Sequence, residues 1–392
     1  MKIKNSKIYL FGDFHQLPPI GKGLPFKNLL RILPCQFLTV SKRAAEGSGI
    51  TLNSNYINEF SDSNSWRNLE SSDDFVIAPC NEQDMVKLTV DIVKYYLNDR
   101  TSIDEHDLCR RLGIAKMPEI RGLTADDIQV VTPLAKNTYA WGANKLNEVL
   151  QPIFNKNKHR NDICFYQTSS KGNRQKYIIG DRVIHTNRNM YNMQWYADFN
   201  IKTGEITKRY GFGINNGEVG KVVGFIKASD CSFTDEIDVM PDNFQYPEHI
   251  RDDSTFTDVN GYFLIVKYYD YLSDSDFYIL YRCKKNVDVS DTEGLVLKGD
   301  DFSMLNLFYA GTCHKMQGSQ ARLIIAPLGT VNFTGFITRN MMYTVYTRAS
   351  DCVITLGSVD NSASSMLTRA RKVVSETNVF TVGEYLCSKT VS

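Results

Sequence analysis

Lys7-Ile8-Tyr9-Leu10-Phe11-Gly12-Asp13 is a short apolar run closed by Gly-Asp, the pattern of a buried parallel strand that delivers a residue at its C-terminal end. The Leu17-Pro18-Pro19 stretch that follows cannot be helix interior, because proline lacks the N–H that a helix needs. Three further runs share the form: Ile128 to Thr132 cut by Pro133, Arg322 to Ala326 cut by Pro327, and Cys352 to Leu356 ended by Gly357. Between them, an apolar period of about 3.6 predicts helices over Met85–Leu97, Asn137–Leu150 and Ile337–Ala349. Strands alternating with helices imply an α/β fold with a largely parallel sheet.

The middle of the chain has a different texture. From Tyr177 to about Tyr281, short β-rich runs are separated by turns: Asp181–His185, Glu218–Phe225, Tyr262–Tyr268 and Phe277–Tyr281. Asn215-Asn216-Gly217 is a hairpin or tight-turn signal, because Asn and Gly tolerate positive φ. The expected arrangement is a small β-barrel inserted into the α/β domain. At ~150 residues per domain, a chain of 392 residues holds two or three domains.

With 45 Lys and Arg against 44 Asp and Glu, the net charge is +1, so no whole-protein field attracts a polyanion. Charge is nevertheless segregated. Residues 1–43 carry eight basic residues against one Asp, a local +7, and residues 155–189 carry eight against two, a local +6. Residues 229–259 carry nine acidic residues against one Arg, a local −8. The second basic stretch leads into Tyr191, Trp195, Tyr196, Phe199, Tyr210 and Phe212. Basic residues interleaved with aromatics suit a single strand whose phosphates are neutralised while its bases stack; they equally suit a solvated loop beside an aromatic barrel core.

No apolar run approaches the ~18 residues that cross a bilayer, and Ile8 to Phe11 is too short for a signal-peptide core. An intracellular protein is expected. The nine cysteines include no C-x-x-C pair, which argues against a disulfide framework or a zinc site and for small buried hydrophobes.

Four segments taken together carry chemistry. They are Gly12-Asp13-Phe14-His15-Gln16-Leu17-Pro18-Pro19-Ile20-Gly21-Lys22-Gly23 with Leu38-Thr39-Val40-Ser41-Lys42-Arg43; Val130-Val131-Thr132-Pro133 with Asn144-Lys145-Leu146-Asn147; Gly180-Asp181-Arg182-Val183 with Asn215-Asn216-Gly217-Glu218-Val219-Gly220; and Tyr309-Ala310-Gly311-Thr312-Cys313-His314-Lys315-Met316-Gln317-Gly318-Ser319-Gln320 with Asn340-Met341-Met342-Tyr343-Thr344-Val345-Tyr346-Thr347-Arg348-Ala349. In this order and spacing the chain, from Gly12 to about Gly357, resembles the second half of a superfamily 1 DNA helicase of the RecD, TraI and Dda type.

That resemblance implies a RecA-like parallel-sheet motor domain, called 2A, with an inserted SH3-like β-barrel, called 2B. Residues 1–34 would be the tail of domain 1A, 35–174 the first part of 2A with a helical insertion, 175–300 the barrel, and 301–392 the remainder of 2A and a tail. Gln16 matches the glutamine that senses the γ-phosphate of ATP. Arg43 and Arg348 match the two arginines that reach that phosphate from the second motor domain. A guanidinium suits the role because phosphoryl transfer spreads charge over three oxygens. Gln317 and Gly318 would lie near the nucleotide. Thr132, Thr312, His314, Lys315 and Asn216 would contact single-stranded DNA. The chain departs from the family pattern at Gln320, where Glu is frequent.

The Gly-x-x-x-x-Gly-Lys-Ser/Thr string that cradles phosphates occurs nowhere in the chain, and no Asp-Glu pair closes an apolar strand ahead of Gly12. Eleven residues precede Gly12. The expectation is therefore the C-terminal portion of an ATP-dependent 5′ to 3′ DNA helicase. ATP, Mg²⁺ and single-stranded DNA are its implied ligands, with a P-loop-bearing partner chain or upstream half holding the Mg²⁺. The competing expectation is a non-catalytic single-strand-binding remnant or regulatory subunit.

Overall fold

The computed structural model describes residues 7–18, 24–38, 47–59, 69–98, 103–135, 139–156, 164–168, 174–186, 192–235, 250–285, 295–299, 301–328 and 337–357. The chain divides into two compact units, Met1–Leu146 with Gly311–Ser392, and Asn147–Ala310. In chain order the described elements are α1 Pro25–Leu29, α2 Gly49–Glu59, β1 Phe75–Pro79, α3 Glu82–Tyr96, α4 Glu105–Leu112, β2 Ile128–Thr132 and α5 Ala143–Phe154. There follow β3 Cys164–Thr168, β4 Arg174–Ile178, β5 Arg182–His185, β6 Gln194–Asn200, β7 Glu205–Phe212 and β8 Val219–Lys227. Next come β9 Ser232–Asp235, β10 Gly261–Asp270, β11 Ser275–Lys285, β12 Leu295–Lys298 and β13 Leu305–Leu307. The chain closes with β14 Ala310–Thr312, β15 Ala321–Pro327, α6 Arg339–Tyr346 and β16 Ala349–Gly357.

The first unit is built on a five-stranded sheet of order β1-β16-β15-β2-β14. The β1–β16, β16–β15 and β15–β2 pairs are parallel, with Phe75 opposite Val353 and Leu323 opposite both Cys352 and Ile128. The inner strands are apolar on both faces, as a sheet covered on both sides requires: Val130, Val131, Leu323, Ile324, Ile325, Val353 and Ile354 are all buried. The α/β class expected from the sequence is observed.

Helix ends follow local chemistry. The Asn81 side chain accepts the Asp84 N–H at 2.9 Å to start α3, with Glu82 and Asp84 in its first turn, where carboxylates complement the helix dipole. Met85, Leu88 and Ile92 then bury one face of α3. The Thr338 hydroxyl caps α6 by accepting the Met341 N–H.

Several expectations are corrected. Residues 7–12 form no strand; Ile8 is 83% and Phe11 90% exposed. Apolar side chains alone do not make a strand, which also needs an edge to pair with, and the run has no place in the described sheet order. The strand at the end beyond β16 is instead β1, Phe75-Val-Ile-Ala-Pro79, which the sequence reading passes over, as it does α2. The helix expected over Asn137–Leu150 starts at Ala143 and continues to Phe154, carrying Pro152 in its last turn. The helix expected over Ile337–Ala349 spans Arg339–Tyr346, and Ala349 already opens β16. Cys109, Cys283, Cys313 and Cys352 are buried as expected, whereas Cys35 is exposed.

The second unit is a mixed sheet of eleven strands. Its path runs β13-β5-β8-β10-β11-β12-β3-β4, with β6 joined to β11, β7 to β6 and β9 to β7. Its spine is the antiparallel β10–β11 pair, in register from Gly261 opposite Lys284 to Asp270 opposite Ser275. Tyr196, Ile206, Phe263, Ile265 and Leu280 form a core cluster. The Asn215-Asn216-Gly217 turn is present: Gly217 has φ +99° and the Glu218 N–H reaches the Asn215 carbonyl at 3.2 Å. It leads from β7 into β8, which are not paired with each other, so it is a tight turn and not a hairpin. Among the described residues no helix is long and apolar enough to cross a membrane.

Two buried carboxylates organise this unit. Asp181 accepts from Asn155 Nδ2 at 2.8 Å, Gln151 Nε2 at 2.6 Å, the Tyr309 hydroxyl at 2.7 Å and the Ile178 N–H at 2.7 Å. Asp253, 1% exposed, accepts from Arg251 Nε and Arg282 Nε, both at 2.8 Å, and from the Tyr196 hydroxyl at 2.9 Å. Asp253→Ala removes the shared acceptor of two guanidiniums. It is expected to cost about 3–5 kcal/mol of unfolding free energy, read from urea denaturation; a loss within experimental error of zero contradicts this assignment.

Candidate functional site

The candidate site lies in the first unit, where α6 meets the Asp13–Leu17 segment. Helical spacing places Asn340, Tyr343 and Thr344 along one side of α6, a line that Thr347 and Arg348 continue just past its end; Met341, Met342, Thr344, Val345 and Tyr346 are buried. Asn340 Nδ2 donates to the His15 carbonyl at 2.8 Å and the Gln16 carbonyl at 3.3 Å. The Leu17 N–H donates to Thr344 Oγ1 at 2.8 Å. The Tyr343 hydroxyl donates to Asp13 Oδ2 at 3.0 Å. A segment 320-odd residues away in sequence is thus held by backbone as well as side-chain bonds.

Arg348 is 3% exposed. Its Nη2 donates to Gln16 Oε1 at 2.7 Å, its Nη1 to the Ser319 carbonyl at 3.2 Å, and its Nε to the Thr344 carbonyl at 3.3 Å. Gln16 Nε2 in turn donates to Asp13 Oδ2 at 3.2 Å. Asp13 also accepts the His15 N–H at 2.9 Å, and its Oδ1 lies 3.4 Å from His15 Nδ1. Burial pushes the Asp13 carboxyl up, but the bonds from His15, Tyr343 and Gln16 outweigh that and hold it at about 2. The result is a chain of polar contacts, Tyr343–Asp13–Gln16–Arg348, ending in a buried guanidinium.

After Thr312 closes β14, residues 313–318 form a run of turns. The Met316 N–H reaches the Thr312 carbonyl at 3.1 Å, the Ser319 N–H reaches the Met316 carbonyl at 3.1 Å, and Gly318 sits at φ +88°. Gln317 is exposed, and its Nε2 donates to the Leu17 carbonyl at 3.1 Å. Thr312, His314 and Lys315 are partly exposed. Burial lowers the proton affinity of both His314 and Lys315.

Gln16, Arg348 and Gln317 are therefore brought together, with Gly318 in the turn beside Gln317. Thr132 is placed differently: it is fully buried at the end of β2, its hydroxyl donating to the Trp141 carbonyl at 3.0 Å and its carbonyl accepting the Cys313 N–H at 3.2 Å. Asn216 is exposed in the turn of the second unit. Arg43 lies outside the described residues. The sequence reading includes Asn340, Tyr343 and Thr344 in a motif but gives them no role; their helical spacing ahead of Arg348 was the available signal. Among the described residues no group of three or more His, Cys, Asp or Glu could hold a metal ion.

The fold and site define an α/β protein with a parallel sheet, a β-rich second unit and a buried arginine tied to a glutamine-bearing loop. No protein-family model matches the chain. Among solved structures it is similar to a Pif1 helicase from Candida albicans, at 11% identity and a TM-score of 0.35, covering 77% of this chain and 58% of that one. It is also similar to a Pif1 helicase from Bacteroides in complex with ADP-AlF3 and ssDNA, at 13% identity and a TM-score of 0.35, covering 97% of this chain and 66% of that one. The chain spans less than two thirds of the length of both.

The Asp13 contacts make a pH prediction. A carboxyl held below its ordinary 3.8 in the folded chain adds stability that is fully present above about pH 4 and is lost as pH falls toward 2. The melting-temperature difference between wild type and Asp13→Asn is expected to be largest above pH 4 and to shrink toward pH 2. A difference that does not vary with pH contradicts the bonded-carboxylate account.

Proposed function

We propose that the chain is the second-motor-domain portion of an ATP-dependent 5′ to 3′ DNA helicase. Residues 35–174 and 301–392 are read as the RecA-like domain 2A, residues 175–300 as an SH3-like barrel that helps grip the strand, and residues 1–34 as the tail of domain 1A. The observation that carries this reading is the Gln16–Arg348 bond at 2.7 Å. It joins the two residues that the helicase resemblance assigns to the terminal phosphate of ATP, which stand 332 positions apart in the chain.

The residues present fit one end of a nucleotide site. Gln16 and Arg348 would hold the terminal phosphate, with Arg43 as the second cation and Gln317 and Gly318 nearby. When bound, ATP supplies the free energy of phosphoryl transfer, with Mg²⁺ held by a P-loop half whose signature this sequence lacks. The task of this chain is then to bring a preformed cation to the phosphate: Thr344 and Ser319 carbonyls orient the guanidinium, and Asp13 orients Gln16. Thr312, His314 and Lys315, partly exposed on one turn, are the proposed contacts to the DNA backbone, together with Asn216. Thr132 supports that turn through its carbonyl. The exposed apolar run Ile8–Phe11 is proposed to pair with the P-loop half.

The missing P-loop string also favours a second reading, a non-catalytic single-strand-binding remnant or regulatory subunit. One experiment separates the two. In an enzyme reconstituted with a P-loop half, Arg348→Ala is expected to lower ATP turnover by about 10³-fold or more while leaving DNA affinity nearly unchanged. Equal loss of both, or DNA binding with no response to nucleotide in the reconstituted pair, overturns the motor reading and leaves the binding one.

A further inference from the structure

A cleft of about 240 Å³ opens beside the candidate site, between the Asp13–Pro18 segment, α1, Ile57 of α2 and the first turn of α6. Its apolar lining includes Phe14, Phe26 and Ile57, and its polar lining includes His15, Lys27, Arg339 and Asn340. Two cations, Lys27 and Arg339, stand against one carboxylate, Asp13, whose oxygens already accept from Tyr343, Gln16 and His15. The cleft therefore presents aromatic surface together with a cationic rim.

The aromatic side is built closely. A Cβ on Gly12 would lie 3.0 Å from Phe26 Cζ and 3.1 Å from Cε1, so the ring is seated close against the Gly12 backbone and would have to give by a few tenths of an ångström to admit a side chain there. Phe14 packs against His15, with ring centroids 4.0 Å apart, and against Phe37 edge-on at 6.3 Å. On the cationic side, burial lowers the proton affinity of Arg339. A charge held in such a setting gains more from an anion than a fully hydrated one does.

We infer that this cleft binds a single nucleotide unit, its base against Phe14 and Phe26 and its phosphate between Lys27 and Arg339. The size selects the ligand. At about 240 Å³ the cleft is smaller than the ~300–1,000 Å³ typical of pockets that enclose drug-sized molecules, so it suits one ring with one phosphate and not a nucleoside triphosphate. The same chemistry comes from a free mononucleotide or from one nucleotide of a single strand. The inference rests on the reading of the chain as a helicase portion that meets single strands.

The test measures binding of labelled oligothymidylate and, by competition, of thymidine monophosphate to the whole chain across a salt series. The proteins are wild type, Phe26→Ala, Lys27→Ala and Gly12→Ala, each first checked for an unchanged melting temperature. Phe26→Ala is expected to weaken oligothymidylate binding by ~5- to 100-fold with an unaltered salt slope, because base–aromatic stacking carries no counterion release. Lys27→Ala is expected to reduce the slope by about 0.7, the loss of one single-strand phosphate contact. Gly12→Ala, against which the Phe26 ring must give by a few tenths of an ångström, is expected to weaken binding in the same direction with the same unaltered slope, and it carries the stacking arm if Phe26→Ala fails to fold. Competition by the mononucleotide that Lys27→Ala abolishes assigns the site to free nucleotides; binding of the oligonucleotide alone assigns it to a strand. Wild-type binding that none of the three substitutions alters overturns the cleft assignment while leaving strand binding intact. No wild-type binding of either probe overturns both.

Discussion

A guanidinium keeps its charge in every environment a protein offers, so burying one requires acceptors on all sides. Arg348 is 3% exposed, and its acceptors come from three separate stretches: Gln16 from the N-terminal segment, Ser319 from the segment after β14, and Thr344 from the helix that ends just before Arg348. That requirement draws the segments together. Once Gln16 is bound, Asp13 can hold its amide, and Tyr343 can hold Asp13. The backbone bonds of Asn340 and Thr344 then set the path of residues 15–17, and the cleft lined by Phe14 and Phe26 lies beside that path.

The second unit solves a similar problem with carboxylates. Asp181 is fully buried and burial raises its pKa against the pull of four donors. Those donors come from Gln151 of α5 and Asn155 just after it, from Tyr309 and from the residue that closes β4, so one side chain ties the start of the unit to its end. Asp253 does the same between the 251–253 segment, β6 and β11. A buried polar network that is fully satisfied specifies one arrangement, because any slip leaves a donor or charge unpaired in a medium of low dielectric. Both devices act on neighbours that local propensity would not bring together.

Much of the fold was legible before the structure. The strand at Ile128–Thr132 has the expected bounds, β15 and β16 extend the runs read at Arg322–Ala326 and Cys352–Leu356 by a few residues, and α3 covers most of Met85–Leu97. These are places where period and a breaking Pro or Gly agree. The reading failed at residues 7–12, where an apolar run has the composition of a strand but joins no strand among the described residues, and at Phe75–Pro79, where a comparably short run pairs with β16. The two cannot be told apart by pattern, since strand pairing is a property of the neighbour.

For the site, the order of letters alone settles which residue types are available: a glutamine after Gly-Asp, an arginine just past a helix, a turn-rich segment between them. It also determined the helical spacing that aligns Asn340, Tyr343, Thr344 and Arg348. Long-range packing alone set what each side chain is engaged with. It turned the Thr132 hydroxyl inward to the Trp141 carbonyl and set Gln16 against Arg348 across 332 positions. The physical reason is range. Period, caps and turns act over a few residues and are written in neighbouring letters, whereas the partner of a buried charge is chosen by which distant acceptors packing brings within about 3 Å.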